Sequence, residues 1–234
     1  CRRVLAERGA GWLRPQEVRE VLGLCGLPLV EERGASSEEE AVAAATRIGH
    51  PVVLKLVAED LVHKTDMGGV QLDLADEDAV RRAFRAMRAR LEEAGQGAGF
   101  RGVVVQPMVR GGVEVIVGAT EDPVFGSLVA FGLGGIHVEV LGDVVFRVSP
   151  ITDRDAEQMV RGIRGRKLLE GYRGLPAADE AAIRDVLLRI SRLVDDVPEI
   201  DDLDVNPMLA RAPGEGCCIL DARIRVRGVE SGEF

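Results

Sequence analysis

The chain changes texture at Gly111–Gly112, and that change constrains its fold more than any other feature. Before it, capped helical segments alternate with short apolar runs. ASSEEEAVAAATRIGHP (35–51) carries Ser36 as N-cap and Glu39 three positions on, a stripe of Val42, Ala45 and Ile48, and Gly49 as terminator. That pattern predicts a helix. Val80, Phe84, Met87 and Leu91 recur at helical spacing between Asp76, a capping residue, and Gly95. PVVLKLV (51–57), VQLDL (70–74) and GVVVQPMV (102–109) read as strands of a small mixed sheet, the first two as antiparallel partners.

After the glycine pair, GVEVIVGAT, FGSLVAFG and DVVFRVSP read as an antiparallel meander with glycine turns. Helices follow at 153–163, capped by Thr152, and at 179–195, where Ile183, Val186, Leu187, Ile190 and Val194 make one face. Strands near IDDLDVNPML (200–209) and GCCILDARI (216–224) end the fold. Upstream, 16–24 reads as a short helix and LPLVEE (27–32) as a strand. The expectation is an α+β protein of two lobes. An arm at 1–15 precedes a smaller lobe at 16–109 and a larger one at 110–228, with a tail at 229–234 and a hinge near 106–112.

Composition narrows the function classes. Of 234 residues, 28 are glycine, above the usual ~7%. Aromatics make up 3%, so cores are built from Val, Leu, Ile and Ala. A net charge of −9 argues against a nucleic-acid binder. No apolar run approaches the roughly 20 residues of a membrane span, and CRRVLAERGAG lacks the apolar core of a signal peptide. Cys1, Cys25, Cys217 and Cys218 fit neither a CxxC motif nor a disulfide framework, so a reducing cytoplasm is expected. The chain does not begin with Met, and a fragment of a longer polypeptide is expected.

Several residues carry possible chemistry. Lys55 sits inside the apolar run PVVLKLV, where an ammonium either meets an anion or faces out of the sheet. LVHKTDMGG (61–69) offers Val62, His63, Lys64 and two glycines, a loop able to wrap phosphate oxygens, although it is no Walker A loop. With a reference pKa of about 6.5, His63 is able to act as nucleophile or base; a solvated loop histidine is the plainer reading. In DLDVNPM (202–208), Asp204 and Asn206 share a strand face and offer hard oxygen ligands suited to Mg²⁺. A hairpin with CILDARI brings Asp221 towards them; solvent-facing acids are the alternative. Gln106 at the hinge and Glu114 beyond it are candidates for a heterocycle edge and ribose hydroxyls. His50 and His137 lack partners at zinc-ligand spacing, and no GxSxG is present. The glycines of AFGLGGI (130–136) fit a binding loop or a tight turn, and RGRKLLEGYRG (164–174) a phosphate- or CoA-facing segment or a solvated helix end.

Together, VVLKLVAEDLVHKTDMGGV, VQPMVRGGVEVIVGATEDPVFGSLVAFGLGGIHVEVL, RGRKLLEGYRG and LDVNPML resemble an ATP-grasp domain of the beta-subunit type in ADP-forming acetyl-CoA (acyl-CoA) synthetases. The likeness runs from about residue 16 onward. The succinyl-CoA synthetase beta subunit is more distantly similar, sharing the Asn-Pro turn and a later Leu-Asp-Ala. The resemblance implies an ATP-grasp fold with ATP or ADP and Mg²⁺ clamped between the sheets of its two lobes. It implies Lys55 on the phosphates, 62–64 in the loop over them, Gln106 and the Val109 backbone at adenine, and Glu114 at ribose. Asn206 and Asp221 hold Mg²⁺ in this reading. Asp204 receives the phosphohistidine of an alpha-type, CoA-binding partner domain, and His63 is a second phosphoryl carrier. Gln106 stands where the succinyl enzyme has Glu. The expected activity is that of an acid–thiol ligase acting on an acyl-CoA or carboxylate, which this chain performs only within a larger chain or complex. The alternatives are a regulatory ATP-grasp module fused to an acetyltransferase or similar domain, and another ATP-dependent carboxylate ligase of the same fold.

Overall fold

The computed structural model describes residues 1–58, 69–135, 142–172, 174 and 176–228. In chain order the elements are α1 (Arg2–Arg8), β1 (Gly11–Trp12), α2 (Pro15–Leu24), β2 (Arg33–Ala35), α3 (Glu38–Ile48), β3 (Val52–Ala58), β4 (Val70–Leu74), α4 (Glu77–Glu93) and β5 (Phe100–Pro107). Then come β6 (Val113–Asp122), β7 (Gly126–Leu133), β8 (Val144–Val148), α5 (Asp153–Gly162), α6 (Glu180–Asp196), β9 (Ile200–Ala210), β10 (Cys217–Ile219) and β11 (Ala222–Val226). The chain divides into two compact units, Val30–Arg110 and Cys1–Leu29 with Gly111–Phe234. The division at Arg110/Gly111 falls within the expected hinge. The first 29 residues, however, belong with the larger unit, not the smaller.

In Val30–Arg110 the sheet order is β2-β5-β3-β4, and every pairing is antiparallel rather than mixed. Alternation sends Val52, Leu54 and Leu56 of β3 and Val103 and Val105 of β5 into a core closed by α3 and α4. Val80, Phe84, Met87 and Leu91 are the buried stripe of α4, as their spacing predicts. Phe84 meets Phe100 edge-on at 5.5 Å between ring centroids. The α3 cap is Ser37 rather than Ser36: its Oγ accepts the Glu40 N–H, while the Glu40 carboxylate accepts the Ser36 N–H at 2.7 Å. The Ser-Ser-Glu-Glu-Glu run makes both registers available, and the later one wins.

The larger unit holds a seven-stranded sheet among the described residues, ordered β1-β11-β9-β6-β7-β8 with β10 on β9. Strands β6, β7 and β8 form the expected meander. One face of the sheet packs on α5 and α6 through Val115, Val117, Val129, Phe131, Leu133, Leu203, Val205 and Met208. Val4, Leu13, Val18 and Leu22 join this core, and β1 pairs with β11, so 1–15 is an integral part of the unit and not an arm. The segment 27–32 is not a strand; only Leu29 bridges, to Ile219, since Pro28 has no N–H to give a ladder. GCCILDARI is two short strands. Both lie on the edge of β9 opposite β6, and the break at Leu220–Asp221 is spanned by Leu220 N–H to Pro207 O (3.0 Å) and Asn206 N–H to Asp221 O (3.1 Å).

Asp179 ties α6 to the turn between β9 and β10. Its carboxylate accepts N–H groups from Ala182 (3.0 Å), Gly214 (2.8 Å) and Gly216 (3.2 Å). Those donors, the Ala182 N–H foremost, hold its pKa below the usual carboxylate range against the opposing effect of burial. A depressed folded pKa stabilises the fold above the unfolded value of about 3.9 and ceases to do so as pH falls through the lower folded value. Asp179→Ala is therefore expected to cost about 1–2 kcal/mol at pH 7. In thermal melts the gap between wild type and variant should narrow below pH 4; a gap that widens there contradicts the assignment. Among the described residues no helix is long and apolar enough to cross a membrane.

Candidate functional site

In the smaller unit, the strand register sorts the expected residues onto one face. Lys55 pairs with Val104 of β5 and Val70 of β4, while Leu54 and Leu56 on either side enter the core. Its side chain therefore leaves the sheet on the face away from α3 and α4. Gln106 lies opposite Val53 and, by the same alternation, shares that face with Lys55. Only 4% exposed, its amide is oriented by a hydrogen bond from Nε2 to Glu32 Oε2 at 2.9 Å. Nothing in the pattern of LPLVEE singles out Glu32, whose role depends on the side chain that it meets across 74 residues of sequence. Val109 is half-buried just past the end of β5, where Met108 N–H still bonds to Pro51 O at 3.0 Å. Val62, His63 and Lys64 lie outside the described residues.

The larger unit assembles the acidic candidates. Val115, Val117 and Ala119 of β6 enter the core, so Glu114 points to the other face, where it is exposed. Its carbonyl accepts the Gly134 N–H at 2.7 Å. A Cβ on Gly135 (φ +64°) would lie 2.9 Å from Glu114 Oε2, and one on Gly134 3.1 Å from Glu114 Cβ. The glycines at the end of β7 thus serve a close passage of the chain over Glu114. The basic stretch after α5 is anchored by a buried carboxylate: Asp143 accepts the N–H groups of Arg164 and Gly165, both at 2.7 Å.

On β9, Leu203, Val205 and Met208 face the core, leaving Asp202, Asp204 and Asn206 on the Glu114 face. Asp204 is paired with Arg223 of β11, and Asn206 lies opposite Asp221 through their main-chain bond. Residues facing each other in an antiparallel pair share a face. Asp204, Asn206, Asp221 and Arg223 are therefore neighbours on one side of the sheet, as the hairpin argument expects for the first three. A bulge helps to present them: Val115 pairs with Met208 but Val117 with Val205, so β9 carries one extra residue at Asn206–Pro207.

Burial, then the Asp202 carboxylate, pushes the Asp204 pKa up, Arg223 pulls it down, and Asp221 adds a smaller upward push. Burial likewise raises Asp202, opposed by Arg225. The set suits a hard cation. Asp221 supplies an exposed carboxylate and Asn206 an exposed amide oxygen, both donors of the kind Mg²⁺ takes. Among the described residues no group of three or more His, Cys, Asp or Glu is arranged to hold a metal. Two protein donors alone leave an octahedral ion to be completed by water and substrate phosphates, which is the usual Mg²⁺ arrangement in nucleotide sites. Sequence reasoning missed Arg223, although its spacing of two from Asp221 places both on one strand face.

Comparison with known proteins agrees with this architecture. Residues 3–226 match the ATP-grasp domain family. The chain is 41% identical over 213 residues to the beta subunit of acetate–CoA ligase [ADP-forming] II from Pyrococcus furiosus, covering 91% of this chain and 90% of that one. It is 42% identical over 212 residues to 4-hydroxybutyrate–CoA ligase [ADP-forming] of Nitrosopumilus maritimus, and there the match spans 91% of this chain but only 30% of the relative. Among solved structures, acetyl-coenzyme A synthetase 1 of Ca. Korarchaeum cryptofilum superposes with a TM-score of 0.89 at 41% identity, covering 95% of this chain and 96% of the other. That protein was solved with coenzyme A and Ca-AMPCP and, in another form (TM-score 0.81, 38% identity, 95% and 96% covered), with coenzyme A and Mg-AMPPCP, its phosphohistidine segment pointing towards the nucleotide binding site. The chain belongs to the ATP-grasp family and, within it, to the type found in the beta subunits of ADP-forming acyl-CoA synthetases.

Proposed function

We propose that this chain binds ATP or ADP with Mg²⁺ as the nucleotide part of an ADP-forming acyl-CoA synthetase. The whole reaction would be acyl-CoA + ADP + phosphate to carboxylic acid + CoA + ATP, reversibly. The observation that carries the reading is the placement of Asn206 and Asp221 side by side on the face that also bears Asp204. Bound there, Mg²⁺ would neutralise phosphate charge. Asn206 and Asp221 hold the ion in this reading, Lys55 attracts the phosphates, and Glu114 accepts from the ribose hydroxyls. Gln106, its amide fixed by Glu32, and the Val109 backbone meet the adenine edge. Phosphoryl transfer is mostly positioning and charge neutralisation, which is what these groups supply.

Asp204 receives the phosphohistidine of an alpha-type partner domain that also binds CoA, and His63 relays the phosphoryl group when the acyl phosphate chemistry and ADP are too far apart for direct transfer. Support comes from the Korarchaeum enzyme, whose phosphohistidine segment points towards its nucleotide site. The relatives named above are all ligases or synthetases, and none favours the acetyltransferase-fused module.

Mixing the chain with its partner domain and labelled ATP tests the reading. Label is expected to reach His63 and the partner in wild type. His63→Ala should abolish transfer to the partner, and Asp204→Ala should slow it by about 100-fold, in the range general acid–base or positioning groups contribute. Full transfer in His63→Ala contradicts the relay while leaving nucleotide binding standing.

A further inference from the structure

Strand β11 carries arginines at alternate positions, 223, 225 and 227 being in one row up to and just past its end. Two of them are committed. Arg225 pairs with Asp201 at 2.8 Å and its guanidinium lies 5.7 Å from the centre of the Trp12 ring. Arg227 pairs with Glu121 at 3.0 Å and reaches Asp201 at 3.6 Å. Arg223 is exposed and, among the described residues, its guanidinium makes neither a hydrogen bond nor an ion pair, its charge acting only through space on Asp204.

Its position is unusual for an uncommitted arginine. The register sets it directly across from Asp204 and two residues from Asp221, on the face shared with Asn206 and Asp202. Around Arg223 that face thus gathers three carboxylates, Asp202, Asp204 and Asp221, with Glu114 farther along it. A nucleotide whose phosphates reach Asn206 and Asp221 would bring further negative charge up to Asp204. One divalent cation at Asn206 and Asp221 offsets only part of that repulsion, because like charges held close together at a protein surface are incompletely screened by solvent. A guanidinium is suited to relieve the rest, because its planar fork binds two phosphate oxygens at once and stays charged at every working pH.

We propose that Arg223 is a phosphate-binding residue that holds the terminal phosphoryl group of the triphosphate beside Asp204. This rests on the nucleotide-site reading above and adds to it a residue and a discrimination: the arginine acts on the third phosphate, so it separates ATP from ADP. Arg225, engaged by Asp201 and Trp12, takes no part.

Calorimetric titration of wild type, Arg223→Ala, Arg223→Lys and Arg225→Ala with Mg-ATP and Mg-ADP tests the assignment. Arg223→Ala is expected to weaken Mg-ATP by about tenfold or more and Mg-ADP by less than about threefold. Arg223→Lys should restore part of the ATP affinity, because it returns the charge without the fork. Arg225→Ala should match wild type for both ligands. Wild-type ATP affinity in Arg223→Ala, or an equal loss for ATP and ADP, overturns the role of Arg223 and leaves the nucleotide site standing. A wild-type chain that binds neither nucleotide overturns the site itself, and the assignment with it.

Discussion

Asp221→Ala is expected to weaken Mg-dependent nucleotide binding by about 100-fold, the scale of removing one charged partner from a metal or ion-pair contact. The variant should fold as wild type does. Asp221 is exposed, and the structural bond at this position runs from Asn206 N–H to the Asp221 main-chain oxygen, which alanine keeps. The carboxylate itself bonds only to its own neighbour, the Ala222 N–H at 3.0 Å, among the described residues. Asn206→Ala should cost less, since it removes a neutral oxygen rather than a charge. Binding by Asp221→Ala at wild-type strength, with unchanged Mg²⁺ dependence, would remove Asp221 from the metal site.

Phe131→Ala has the largest expected effect on stability. Phe131 sits fully buried in β7, paired with Val117 of β6 and Val145 of β8, within the core under α5 and α6. The chain has only six phenylalanines, so its cores are built mostly from smaller aliphatic side chains that cannot close around a hole this size. Truncation should cost about 3–5 kcal/mol, a large share of the roughly 5–15 kcal/mol that holds a domain folded. Phe131→Leu, which keeps most of the volume, should cost well under half as much. Urea denaturation followed by circular dichroism reads both, and an Ala variant with a wild-type midpoint contradicts the packing.

Periodicity carried the long elements. The α4 stripe of Val80, Phe84, Met87 and Leu91 is buried as its spacing predicts, and the Thr152 hydroxyl accepts the Asp155 N–H at the start of α5. The pleat also placed Asp204 with Asn206 correctly, because side-chain alternation is a property of the strand alone. Short elements held by distant contacts were illegible. Helix α1 buries a single residue, Val4, and β1 is two residues long, so neither leaves a period to read; both exist through contacts with a core assembled nearly 200 residues later. The break between β10 and β11 was hidden because Leu220 and Asp221 are compatible with a continuous strand. Arg223 went unnoticed for a different reason: its significance lies in what faces it across β9, which only the register reveals.

The most direct measurement is calorimetric titration of the wild-type chain with ADP, in excess Mg²⁺ and again in EDTA. Saturable binding near one nucleotide per chain is expected with Mg²⁺, falling by about tenfold or more when the ion is removed, since phosphate charge would then meet Asp204 and Asp221 without the cation. Binding of equal strength in EDTA, or no binding in either condition, would contradict a Mg²⁺-dependent nucleotide site built on Asn206 and Asp221.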